Sequence, residues 1–392
     1  MELYFYLVPL LQHLTIEGGR QMIYEELKRR FFTRYVFLSI IGVLLLTCVL
    51  NLSIVSINEN LHELIKEESI YAGEMTEDKL WLALEKVRDE KSDDIKYKPL
   101  IAFISRLVYS YPGILYNEDK LTKFPDYYAK NFYECWKKKS TALIEKIPKN
   151  NQRKALKELN KVKTPFYQYE GYYLWIEGFN MLKVLYLIII FMVTFFAAST
   201  YSDSMEDGSM EIIYTTVFGK KIMGIRLIPI IIYGLLLTLI ATLCTVIILG
   251  SATGFKTLKS SLKIFALFSI GNFTLGSGIL LMFVSELLGV LSLTTIMAWV
   301  SYKTANTSFA TSIGIGINIL YIIMALFIKI SRKFCKLMSN ALPLASSQII
   351  NEVSGFHFDM GIWRPYSVMI SMVLEFCFFG ILLYCKIHKN KN

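Results

Sequence analysis

Residues 28–57 read KRRFFTRYVFLSIIGVLLLTCVLNLSIVSI, and no charged side chain falls between Tyr35 and Ile57. A helix rises about 1.5 Å per residue, so this run is long enough to cross a hydrocarbon core of about 30 Å. A helix on the surface of a soluble protein would interrupt the run with a polar face, and none appears. Arg29, Arg30 and Arg34 stand at its start, which by the positive-inside rule keeps the preceding segment in the cytoplasm. The chain is read as membrane-embedded.

Residues 179–201, 227–249, 278–300, 309–328 and 367–385 repeat the pattern. Of 392 residues 54% are hydrophobic and 19% charged, against roughly 25% charged in an average soluble domain. The expected fold is an all-α membrane protein. It has six transmembrane helices, an N-terminal amphipathic helix and a mostly helical extracellular domain between spans one and two. The expected divisions are 1–34, a cytoplasmic N-terminus with an interfacial helix; 35–57, the first span; 58–178, the outer domain; and 179–392, spans two to six with a short cytoplasmic tail. Residues 263–280 are apolar but cut by Gly271, Asn272, Gly276 and Gly278. A seventh span there would put Lys386, Lys389 and Lys391 outside, so the stretch is read as an outer loop dipping into the membrane. The basic group Lys329, Arg332, Lys333 and Lys336 then lies outside, against the same rule.

The net charge of +10 raises the question of nucleic acid. Residues 58–178 hold 21 Lys/Arg against 20 Asp/Glu, and the rest of the chain 21 against 12. The excess therefore flanks apolar runs, which marks membrane orientation and excludes nucleic acid as a partner. The six cysteines are scattered, and His13, His62, His357 and His388 form no metal spacing. No Ser/His/Asp set, zinc site or aspartyl pair falls in the spans, so no catalytic or metal site is expected and a membrane-embedded enzyme is disfavoured. Residues 1–12 lack the basic leader and cleavage site of a cleaved signal peptide.

After a break at Gly18-Gly19, residues 20–34 read as an amphipathic helix along the membrane surface. Ile23, Leu27 and Phe31 form its apolar side, and Glu25, Glu26, Lys28, Arg29 and Arg30 its charged side. In the polar block, apolar spacing predicts helices over residues 58–71, 76–90, 100–110 and 127–147, punctuated by prolines. Trp81, Trp136 and Trp175 are expected in its core or interfaces.

Between spans two and three, residues 201–226 read YSDSMEDGSMEIIYTTVFGKKIMGIR. Carboxylates at the start of a short helix suit its dipole, and the lysines mark the membrane edge. Such an acidic helix with a basic exit can dock on a cytoplasmic partner, and the plainer reading is an ordinary polar loop.

This arrangement resembles the membrane subunits of type-2 ABC exporters, bacterial ATP-binding-cassette permeases. Members of that family begin with an amphipathic connecting helix, cross six times and carry an acidic-Gly-Ser/Thr-x-Glu segment with a Gly-Lys/Arg exit between spans two and three. The likeness rests on Asp203, Glu206, Gly208, Ser209, Glu211, Thr215, Lys220, Gly224 and Arg226, with Thr216 where a Pro is common. The turn 301–307 and the broken segment 342–352 before span six match further family features. Residues 58–178 have no counterpart in most members, although sodium-exporter-like and peptide-exporter-like permeases carry an inserted domain. The resemblance implies a multi-pass protein of the bacterial cell membrane with both termini cytoplasmic. It implies that residues 202–221 couple to a separate ATP-binding cassette subunit, which holds ATP and magnesium. This chain would bind no cofactor itself, and Gly219-Lys220-Lys221 lacks the spacing of a phosphate loop. The resemblance further implies pairing with a second copy or sister permease amid membrane lipid, and export of an amphipathic cargo such as a peptide or lipid-like molecule. The alternative is a membrane sensor or a sodium-exporter-like permease with a ligand-binding outer domain.

Glu286, Asn318 and Glu375 fall near mid-depth of spans four, five and six, where a charged form costs about 2.5–3.5 kcal/mol. They are read as an intramembrane polar patch, serving either a pathway or hydrogen bonding between helices.

Overall fold

The computed structural model describes residues 17–57, 65–66, 69, 72–89, 126–216, 219–327, 338–359 and 361–389. The expected helices over 58–71 and 100–110, the apolar start 1–12, His13, His62, Cys335, Lys391 and the basic group Lys329, Arg332, Lys333 and Lys336 lie outside the described residues or largely so.

Helix α1 (Glu17–Phe31) leads into α2 (Arg34–Ile57). The polar insert follows: β1 (Gly73–Glu74), α3 (Glu77–Asp89), α4 (Tyr127–Lys130), α5 (Phe132–Glu145), α6 (Lys149–Leu159) and β2 (Tyr167–Gln168). Then come α7 (Tyr172–Glu206), α8 (Ser209–Thr215), α9 (Gly219–Ile225), α10 (Ile228–Thr253), α11 (Leu275–Thr304) and α12 (Thr307–Phe327). A 3₁₀ turn at Pro343–Gln348, α13 (Ile349–Val353), β3 (Phe358–Asp359), β4 (Ile362–Trp363) and α14 (Arg364–Lys389) close the described chain. Six helices are long and apolar enough to cross a membrane: α2, α7, α9 running into α10, α11, α12 and α14. The chain is a multi-pass helical membrane protein by helix length and hydropathy.

The six runs read from hydropathy sit inside these helices, but the helices outlast them. The second, expected over 179–201, spans Tyr172–Glu206, because the polar residues at both ends continue the same helix. Helix α11 likewise begins at Leu275 with a capping box: Thr274 and Ser277 exchange side-chain-to-backbone bonds. Gly18 and Gly19 do not break the chain; they lie within α1, where each costs only about 1 kcal/mol relative to Ala.

The main core is a continuous apolar cluster from the spans into the insert, and a second, smaller one gathers Tyr201, Met210, Met223, Tyr302 and Leu383 around the α8–α9 turn. Helix α7 packs against α10, α11 and α12, and α11 against α14. Close approach is built with small residues: a Cβ on Gly234 would meet Val290 at 2.3 Å, and one on Gly314 would meet Thr194 at 2.5 Å. Gly276 and Gly278 also sit against neighbours, whereas Gly316 faces open space. Outward faces of α2 and α14 leave Phe37, Leu38, Leu374 and Phe378 exposed, as lipid-facing helices do.

The insert pairs β1 with β2 antiparallel and packs Leu80, Leu84, Phe132, Trp136 and Ile144 inside. The helix expected over 127–147 is divided at Asn131 into α4 and α5, and α6 was not foreseen: its charged surface hides only Asn151, Ala155 and Leu159. The segment 255–274 is no span. It forms two 3₁₀ turns, Phe255–Lys259 and Leu262–Ile264, held under the insert. Trp136 Nε1 donates to Leu267 O (2.9 Å), Ser261 N to Tyr167 O (2.7 Å) and Tyr169 N to Ser260 Oγ (2.9 Å). The stretch is thus a loop and not a seventh span, as expected, and it serves as the seat of the insert. Trp136 and Trp175 are buried as expected, while Trp81 is half-buried with Lys130 Nζ 4.7 Å from its ring centre.

Candidate coupling face and intramembrane polar groups

At the end of the bundle opposite the insert, α7 runs past its apolar stretch to Glu206 and turns. Gly208 has φ 73°, the left-handed region glycine tolerates, and α8 starts there. Asp207 accepts from Ser209 N (2.9 Å); the side-chain and backbone hydrogen bonds of Ser209 hold its carboxyl below the usual range. At Gly219 a Cβ would lie 2.2 Å from Ile213 O, so α8 and α9 close into a hairpin only with glycine there. The basic exit is helical: Lys220, half-buried, and Lys221, exposed, lie on α9.

The expected coupling residues divide by use. Asp203 and Glu206 are not free carboxylates but bind Thr307 at the start of α12. Thr307 N donates to Glu206 Oε1 (2.9 Å), and Thr307 Oγ1 lies 2.9 Å from both Glu206 Oε2 and Asp203 Oδ1. A carboxylate at a helix N-terminus meets unpaired N–H groups and the positive end of the dipole, which favours this placement. Ser202 Oγ completes the cluster, 2.8 Å from Thr307 Oγ1, and Ser301 Oγ accepts from Tyr201 N and Ser202 N. Tyr214 on α8 bonds Tyr302 on α11 through their hydroxyls (2.8 Å). Tyr201 Oη donates to Met223 O (2.7 Å), so the turn is tied to α7 and α11, and the end of α7 in turn to α12. Glu211 and Thr215 point outward together with Ile212, which is 69% exposed.

The surface expected of α1 also differs. Glu26 and Arg30 are buried rather than solvated. Glu26 Oε1 accepts from Arg30 Nε (2.8 Å) and Arg29 Nη2 (2.9 Å), and Arg226 Nε lies 3.8 Å away. Arg30 Nη2 also donates to Thr200 O at 2.8 Å. Burial opposes the Glu26 charge, yet the Arg29 hydrogen bond and the three guanidiniums outweigh it and hold the carboxyl below its usual range. One ion cluster therefore fastens α1 to the end of α7 and the foot of α10. Of this cluster, the family resemblance carried only Arg226. A charged i, i+4 pair such as Glu26 and Arg30 reads as solvated until the distant carbonyl of Thr200 is known. Beside it a cavity of about 880 Å³ opens between α1 and α9, lined by Met22, Arg29 and Ile222, and a separate one of about 660 Å³ lies in the insert.

Within the spans, Glu286, Asn318 and Glu375 do not bond one another. Ser292 Oγ donates to Glu375 Oε2 (2.6 Å), Asn318 Nδ2 to Thr194 Oγ1 (2.9 Å), and Ser346 Oγ lies 3.0 Å from Glu286 Oε2. The expected single patch is three separate fastenings: α14 to α11, α12 to α7, and the 343–348 turn to α11. Their partners are serines and threonines, which hydropathy counts as neutral. Among the described residues no group of three or more His, Cys, Asp or Glu is placed to hold a metal, and five cysteines are free.

No protein-family model, curated protein or solved structure matches this chain.

Proposed function

We propose that this chain is the permease subunit of an ABC exporter, extruding an amphipathic peptide or lipid-like molecule with ATP hydrolysed, with magnesium, by a separate subunit. The observation that carries the reading is the α8–α9 turn. It is bonded directly to α7 and α11, and the end of α7 that leads into it is bonded to α12, while Glu211, Ile212 and Thr215 remain on its outer face. A partner gripping that face would move α7 and α11 together, and α12 through its bonds to the end of α7, which is what transmission of a nucleotide-driven closure requires. In this reading α1 and the turn lie in the cytoplasm, the insert lies outside, and the exposed apolar faces of α2 and α14 meet lipid or a second six-span half, whether a copy of this chain or a sister permease.

Purification of the full chain from its native membrane in mild detergent tests this. An ATP-binding subunit should be retained and should hydrolyse ATP; absence of any such subunit contradicts the reading. A sensor is the second reading, favoured by the hydrogen bonds that seat the insert on the 255–274 loop. It predicts a retained partner whose ATP hydrolysis does not respond to cargo.

A further inference from the structure

Glu286 is fully buried on α11 beneath the 3₁₀ turn Pro343–Gln348, and its Oε1 has no hydrogen-bond partner. The contact between turn and helix is close. A Cβ on Gly289, one turn along from Ser285, would lie 2.1 Å from Ser346 Oγ, and Ser285 Oγ donates to Ser346 O at 3.2 Å. Ser346 Oγ sits between two acceptors, Glu286 Oε2 at 3.0 Å and Pro343 O at 2.7 Å. A hydroxyl has one proton and two lone pairs, so it cannot donate to both. If Glu286 is ionised, one of the two oxygen pairs is left without a hydrogen, and the carboxylate is buried with at most one donor. Among the described residues no Lys, Arg or His is paired with it. Among the ionisable groups on the packed elements, Lys183 bonds Asn351, Tyr186 bonds Thr242, Tyr233 bonds Ser39, Glu375 bonds Ser292 and Glu352 pairs with Arg364, none of them with Glu286. A proton on Glu286 Oε2 resolves the count. Glu286 then donates to Ser346 Oγ, Ser346 donates to Pro343 O, and each short contact holds one hydrogen.

We infer that Glu286 is a buried proton site: held as the neutral acid, it latches the broken segment 343–353 onto α11 through Ser346. The inference does not depend on the transport reading. Loss of the proton to water would leave a charge facing the lone pairs of Ser346, and the segment would lift from its seat. Glutamine keeps the shape and a donor, whereas alanine removes both, so the two substitutions separate the latch from simple packing.

Infrared difference spectra of the purified full chain in lipid nanodiscs, wild type minus Glu286→Gln, test the proton. A carboxylic-acid carbonyl band is expected, and carboxylate bands in its place overturn the site. The latch is read by thiol labelling of a Ser347→Cys reporter, with the native cysteines replaced by alanine. Ser347 is fully buried, so the reporter is protected while the segment is seated. Glu286→Gln should label at the parent rate. Glu286→Ala should label about tenfold faster or more, the scale on which an unpaired buried group shifts local opening. Equal protection in Glu286→Ala, or labelling of Glu286→Gln as fast as that of Glu286→Ala, overturns the latch.

Discussion

Thr307 and Lys263 are the side chains whose roles depend most on distant partners. Thr307 joins α12 to Asp203 and Glu206 on α7, more than a hundred residues earlier. The acidic pattern was visible in the sequence; what it binds was not, because nothing local marks a threonine as the donor to carboxylates on a remote helix end. Thr307→Val should lower the thermal midpoint by the equivalent of about 1 kcal/mol, with Thr307→Ser largely restoring it, as measured by thermal unfolding in detergent. Lys263 lies between α10 and α11 with its ammonium buried, without a hydrogen-bond partner, 5.6 Å from the Trp136 ring centre. Burial pushes it down to about 7. The unfolded lysine titrates near 10.4, so between those values the unfolded chain binds more protons and stability rises with pH. Lys263→Met should stabilise the protein at neutral pH by about 1–3 kcal/mol and flatten that rise, which thermal midpoints measured from pH 7 to pH 10 report.

Elements were legible where one physical signal dominates. The spans announce themselves because lipid demands long uncharged helices, and hydropathy needs no knowledge of neighbours. Helix α6 was missed for the opposite reason: Ala155 and Leu159 are its buried apolar residues, and a charged helix with so narrow a stripe looks like a loop. Residues 263–280 were legible as no seventh span, but their apolar composition gave no sign that the loop before Leu275 seats the insert, because its partners Trp136, Tyr167 and Tyr169 lie about a hundred residues earlier. The α8–α9 turn is the most exacting element. Gly219→Ala would place a methyl 2.2 Å from Ile213 O, so the turn must shift. Such overpacking costs about 1–3 kcal/mol, and limited proteolysis should cut residues 209–225 faster in that variant with the spans intact.

For the molecule as a whole, under the proposed function the +10 charge is an orientation signal, and orientation is open to direct labelling. Cys135 is buried, so an introduced thiol at exposed Lys157 of the insert serves instead. With the native cysteines replaced, an impermeant reagent applied to intact cells should label Lys157→Cys and leave Ile212→Cys untouched until the cells are opened; the reverse pattern inverts the topology. The central claim is that the turn bearing Glu211, Ile212 and Thr215 transmits the work of an ATP-binding partner to the spans. Its most direct test is the cargo-stimulated ATP hydrolysis of the purified complex, wild type against Ile212→Arg. Ile212 is exposed, so the substitution should leave the thermal midpoint unchanged. The account predicts that stimulation is lost or the partner released in Ile212→Arg; full stimulation with the partner retained would contradict it.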